Sequence, residues 1–128
     1  MSEIRATTIS DAAGTGPITL TKQSAAKAWL NMDGTGTVAI RGSFNTSSIT
    51  DDATGKYTQT YTSNMSSDDY SVSTSSANST GYIESIKVNR YNVFEPIFTN
   101  GMQVACWNNN SAWTDTQFVL LQSFGDLA

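Results

Sequence analysis

A two-residue alternation sets the strongest limit on what this chain can become. In KAWLNMD, residues 27–33, Ala28, Leu30 and Met32 face one way while Trp29, Asn31 and Asp33 face the other. That is the period of a strand with one buried face. The letters DGTG at 33–36 then supply turn chemistry before a second arm, TVAIRGSF at 37–44, so the segment reads as a hairpin. In the second arm Val38, Ile40 and Phe44 share a face with Gly42. The missing side chain there predicts a bulge or a close backbone approach where the strand bends. Helical periodicity is nearly absent: apolar residues come in short bursts separated by Gly, Asn and Asp, and only 14% of residues are charged.

The same reading continues to the last residues. A polar turn is expected around Asp51, Asp52 and Gly55, leading into KYTQTYT at 56–62, where Tyr57 and Tyr61 share a face interrupted by Gln59. A buried Gln59 must be bonded by a neighbouring chain or a backbone group, because an unpaired amide costs about 1–3 kcal/mol. Further strands are expected within 70–74, 81–93 and 97–107. In the last of these Asn100-Gly101 predicts a type I′ hairpin turn with positive φ at both residues, followed by Met102, Val104 and Cys106 opposite Gln103, Ala105 and Trp107. Residues 116–124, TQFVLLQSF, are apolar on both faces, the mark of a central or interface-covered strand. Together with the polar interruption at Gln59, this surplus of apolar surface motivates a trimer packed along those strands. Eight or so short strands describe an all-β chain: a single antiparallel β-sandwich, small barrel or jelly-roll-like domain over residues 25–128.

Bulk properties exclude several functions. A chain of 128 residues makes one domain that buries roughly two-thirds of its unfolded surface. Seven basic against eleven acidic residues give a net charge of −4 without a basic stripe, which argues against nucleic-acid and anionic-lipid partners. The longest apolar stretch, Phe118–Leu121, is far too short to span a bilayer. Residues 1–24 have neither a long apolar run nor a basic start, so no Sec-type leader is expected. The single cysteine, Cys106, permits no intrachain disulfide and reads as a small buried hydrophobe. With no histidine there is no Ser-His-Asp or Cys-His system and no His-based metal site, so no catalytic residue and no cofactor is expected. The pairs Asp51-Asp52 and Asp68-Asp69 sit in Ser/Thr-rich segments, where acids are ordinarily solvated. Their other uses would be a two-carboxylate hydrolase or a calcium site, although no complete D-x-D-x-D-G loop is present.

Two segments remain. Residues 1–24 hold only scattered aliphatics at Ile4, Ile9, Ile18 and Leu20, too few for a core. They read as an extended arm that adds to a partner's sheet edge, or as a frayed terminus. The segment CWNNNSAW at 106–113 puts Trp107 and Trp113 around Asn108, Asn109 and Asn110. Indoles stack on the apolar face of a sugar while amides bond its hydroxyls, so these five residues are a candidate glycan or receptor contact. The same letters also make a plain turn whose tryptophans pack on the protein or on a neighbouring subunit.

Residues 26–65, AKAWLNMDGTGTVAIRGSFNTSSITDDATGKYTQTYTSNM, resemble a module of bacteriophage tail-fibre and other virion appendage proteins. The likeness is carried by Lys27-Ala28-Trp29, Asp33-Gly34-Thr35-Gly36, Ser43-Phe44-Asn45, Ser47-Ser48-Ile49-Thr50-Asp51, and Gly55 with Tyr57-Thr58; GPITLTKQSA at 16–25 is similar to the strand that leads into it. Met32, Gln59 and Tyr61 depart from the pattern. The resemblance implies a homotrimeric structural virion protein, tail-fibre or capsid-decorating, mounted on other virion proteins through 1–24 and meeting the host through loops of the later half. A free-standing carbohydrate-binding module is the alternative from a different class.

Overall fold

A computed structural model describes residues 25–78, 84–88, 96–108, 110 and 112–128. Among them lie nine strands: β1 (Ala28–Asp33), β2 (Ala39–Phe44), β3 (Thr46–Ala53), β4 (Lys56–Tyr61), β5 (Ser71–Ala77), β6 (Glu84–Val88), β7 (Ile97–Phe98), β8 (Gly101–Asn108) and β9 (Phe118–Phe124). They form two antiparallel sheets. The first has the order β2-β1-β9-β5, and the second the order β3-β4-β8-β6 with β7 also on β8. The chain is all-β, and the architecture is a sandwich. The arm expected at 1–24 lies outside the described residues, as do the flanks of β6 within the strand expected at 81–93.

The alternating faces meet as period two requires. Leu30 and Met32 of β1 and Val119 and Leu121 of β9 close on Tyr57 of β4 and on Met102, Val104 and Cys106 of β8, all nearly inaccessible. Each such side chain contributes about 1.5–3 kcal/mol through burial. A second cluster joins Ala28, Tyr61, Met65 and Tyr70. Here hydroxyls bridge the sheets: Tyr61 Oη lies 2.8 Å from Ser123 Oγ and donates to Tyr70 Oη at 3.1 Å, which donates to Gly101 O at 2.8 Å. β9 is central, between β1 and β5, with Val119 and Leu121 turned into the core and Phe118, Leu120 and Phe124 partly exposed on the outer face.

Three expectations are corrected. Gln59 is buried, but its Nε2 donates to Thr46 Oγ1 at 2.7 Å within the chain, while Oε1 has no partner among the described residues. It therefore gives no argument for a neighbouring subunit. Asp51 and Asp52 stand on edge strand β3 instead of in the turn, which falls at residues 54–55. The 97–107 hairpin forms, yet Phe98 pairs with Gly101, so its two loop residues are Thr99 and Asn100, and neither Asn100 nor Gly101 has positive φ. Packing demands glycine at 101: a Cβ there would stand 2.1 Å from Gln59 O.

The joints explain several of the motif letters. Asp33 Oδ1 accepts from the Thr35 backbone at 3.0 Å and from its hydroxyl at 2.6 Å, and Gly36 closes that turn at φ +62°. Gly42 sits opposite Asn31 beside a bulge at Arg41, since Met32 already pairs with Ile40. Asn45, between β2 and β3, is the one non-glycine with positive φ among the described residues, at +54°; there the chain leaves the first sheet for the second. Gly55, at φ +68°, lies under the backbone of Cys106 and Thr114, and its N–H donates to Asp115 Oδ1 at 2.7 Å.

Candidate functional sites on the two outer faces

The loop singled out in the sequence stands at the end of β8, on the outer side of the second sheet. Trp107 and Trp113 pair across it as an isolated bridge, with ring centroids 5.4 Å apart and planes at 90°. Lys56 Nζ lies 4.7 Å from the Trp113 centroid and Lys87 Nζ 4.5 Å from that of Trp107. Asn108 Oδ1 accepts from the backbone N–H of Asn110 at 2.9 Å and of Ala112 at 3.2 Å. Of the five expected contact residues, four are therefore gathered in one place; Asn109 lies outside the described residues. Trp113 is 44% exposed and Asn110 is exposed, whereas Trp107 and Asn108 are half-buried. An amide oxygen that holds two N–H groups of its own turn has its main accepting directions occupied, and an indole under an ammonium has one face covered.

The outer side of the first sheet presents a different surface. Register places Trp29, Gln122 and Ser73 in one row across β1, β9 and β5, and Asn31, Leu120 and Ser75 in the next. These six residues line a groove of about 340 Å³, in the lower range for small-molecule sites. Trp29 is 40% exposed and its ring lies over Gly42, where an added Cβ would meet Cη2 at 3.3 Å. Asn31 Oδ1 is screened from solvent and accepts no hydrogen bond among the described residues. The bulge residue Arg41 closes the end of the face. Its guanidinium pairs with Asp33 Oδ2 at 2.5 Å, donates to Gln117 O, and lies 4.2 Å from the Phe118 centroid. The hydrogen bonds from Thr35, with help from Arg41, hold the Asp33 carboxyl below its ordinary value. The groove lining itself contains no ionisable side chain.

Alternation alone marks Trp29 and Asn31 as outward, but says nothing of what stands beside them. Their neighbours come from β9 and β5, some 40 to 90 residues along the chain, and only sheet order reveals the panel. The acidic pairs do not converge: Asp52 Oδ2 accepts from Thr58 Oγ1 at 2.5 Å, and no three acidic or thiol side chains gather among the described residues.

Comparison with protein-family models, with curated proteins and with solved structures finds no match to this chain.

Proposed function

We propose that the chain is a structural, non-catalytic subunit of a bacteriophage virion appendage, a tail fibre, whose sandwich is displayed for host attachment and whose residues 1–24 mount it on other virion proteins. The reading comes from the resemblance of residues 26–65, and one observation supports it. Those letters build β1 to β4, and Asp33, Asn45 and Gly55 occupy the hairpin turn, the crossover between sheets and the clamped turn. A structural module has this character: several of the letters that carry the resemblance serve the joints of the fold. The subunit acts as a homotrimer, and the exposed Ile40 and Phe44 on edge strand β2 offer apolar surface to a neighbouring copy.

A density map of the intact particle tests this reading. A three-fold set of these sandwiches projecting from the tail is the expected result. Copies spread over the head lattice would assign the chain to capsid decoration instead, and a particle without the chain would leave a free-standing carbohydrate-binding module.

A further inference from the structure

We propose that the groove over β1, β9 and β5 is a binding site for a neutral oligosaccharide, with Trp29 as its stacking platform. Four features point to this ligand class. The indole stands at one wall, supported on the bare backbone of Gly42 and 40% exposed, so a flat apolar ring face can lie against its exposed side. Beside it the exposed Gln122, Ser73 and Ser75 carry amide and hydroxyl groups, which both donate and accept, as a sugar hydroxyl does. Asn31, partly buried in the groove lining, adds a further uncharged amide. The lining has no charge, and the nearest ion pair, Arg41 with Asp33, is internally compensated. An uncharged, polyhydroxylated ligand with one apolar face meets each of these, whereas the charge of a phosphate, a nucleotide or a metal ion finds no opposite charge in the lining.

Size agrees. Two strand spacings separate β1 from β5, about 10 Å, and the two rows lie about 7 Å apart, so the panel spans two or three sugar rings instead of one. The loop on the opposite face is less suited, since the Asn108 oxygen is occupied and both indoles lie against lysine ammonium groups. One such groove binds weakly, and presentation in three copies would raise apparent affinity for a repeating polysaccharide by ~10²–10⁴-fold. Only this gain rests on the appendage reading. The site itself is tested on the purified chain, so a negative result here leaves the particle map to judge that reading separately.

The experiment is an NMR titration of the full-length protein with maltotriose, cellotriose and chitotriose, following the three assigned indole N–H signals. Saturable shifts at Trp29 and at the Gln122 amides with at least one trisaccharide, with Trp107 and Trp113 unmoved, are expected. Trp29→Ala should then weaken binding at least tenfold. Gln122→Ala, at an exposed position, should weaken it several-fold and serves as the readout if the tryptophan variant does not fold. The proposal is overturned if none of the sugars moves Trp29, if the shifts centre on Trp113, or if binding survives Trp29→Ala. Broadening of the Trp29 signal with protein concentration alone would overturn it too, by showing that a second copy covers the face.

Discussion

Asn45 holds Ser63 by a reciprocal pair of hydrogen bonds: its Oδ1 accepts from Ser63 N at 2.7 Å and its Nδ2 donates to Ser63 O at 3.0 Å. The same Nδ2 also donates to Lys27 O at 3.1 Å. An amide side chain thus stands in for a strand pairing at the point where the chain passes between sheets. Asparagine suits the place because it tolerates positive φ as well. Asn45→Ala should destabilise the domain by roughly 2–4 kcal/mol, combining the left-handed backbone cost with the lost bonds. Asn45→Gly, which relieves only the backbone cost, should fall between alanine and wild type. Urea unfolding with an unchanged m-value checks the order.

Two glycines with different reasons should respond differently to alanine. At Gly101 the new methyl would collide with the Gln59 backbone, which is held in the β4–β8 ladder. Gly101→Ala should cost roughly 3 kcal/mol or more, or prevent folding. At Gly36 a Cβ meets nothing within 4 Å, so only its positive φ counts, at about 1 kcal/mol. Thermal unfolding of the two variants provides the comparison.

Alkali should unfold the domain through its buried tyrosines. Burial raises the pKa of Tyr57, and the Asp115 carboxylate beside its hydroxyl adds to the effect; burial likewise raises Tyr70 and Tyr61. Because the folded values lie above the unfolded one, the unfolded chain releases these protons first. Stability is therefore fully present below about pH 10 and falls as pH rises beyond it. Of the five tyrosines, these three should ionise together with loss of the β-sheet dichroism signal, as followed by the ring resonances of each; ionisation of Tyr57, Tyr61 or Tyr70 well before unfolding would contradict the burial of these hydroxyls.

Trp113→Ala removes the edge-to-face partner of Trp107 and the ring beneath Lys56, both near the surface. A loss of about 1 kcal/mol is expected, with trisaccharide binding retained. If stability and oligomeric state are unchanged but attachment to host cells drops, the loop carries the receptor contact instead.

Deleting residues 1–23 should leave the sandwich folded and its oligomer intact while abolishing incorporation into particles. Light scattering at micromolar concentration should report a trimer both before and after deletion. A clean monomer of the full chain would reject the trimer, and a truncated chain that still joins virions would reject the mounting role.

Strand identity and facing were legible in the sequence wherever burial is one-sided. KAWLNMD, KYTQTY and MQVAC each announce their inward residues, because side chains on a strand alternate whatever the partner is. The DGTG turn was legible for a similar reason, being made by Asp33 and Thr35 two residues apart. The 97–107 turn falls one residue earlier than its letters suggest: Asn-Gly is strong local turn chemistry, but Gly101 is drawn into the β4–β8 ladder opposite Thr60, close against the Gln59 backbone, and that long-range pairing sets the register. The need of a buried Gln59 for a partner is legible too, but its partner Thr46 depends on how β3 lies on β4.

An all-β chain, most of its inward residues and the chemical character of its outward ones can be read from the letters alone. Those properties follow from composition and from a period that each strand carries alone. Which outward residues become neighbours is fixed by the folded chain: Trp29 with Gln122 and Ser73, Asn31 with Leu120 and Ser75, Trp113 with Lys56. Sheet order is set by the collective burial of inward faces, so the adjacency of outward side chains is a by-product of core packing and leaves no local signal. The CWNNNSAW loop stood out because its letters are contiguous, whereas the groove on the opposite face draws its letters from three separated strands.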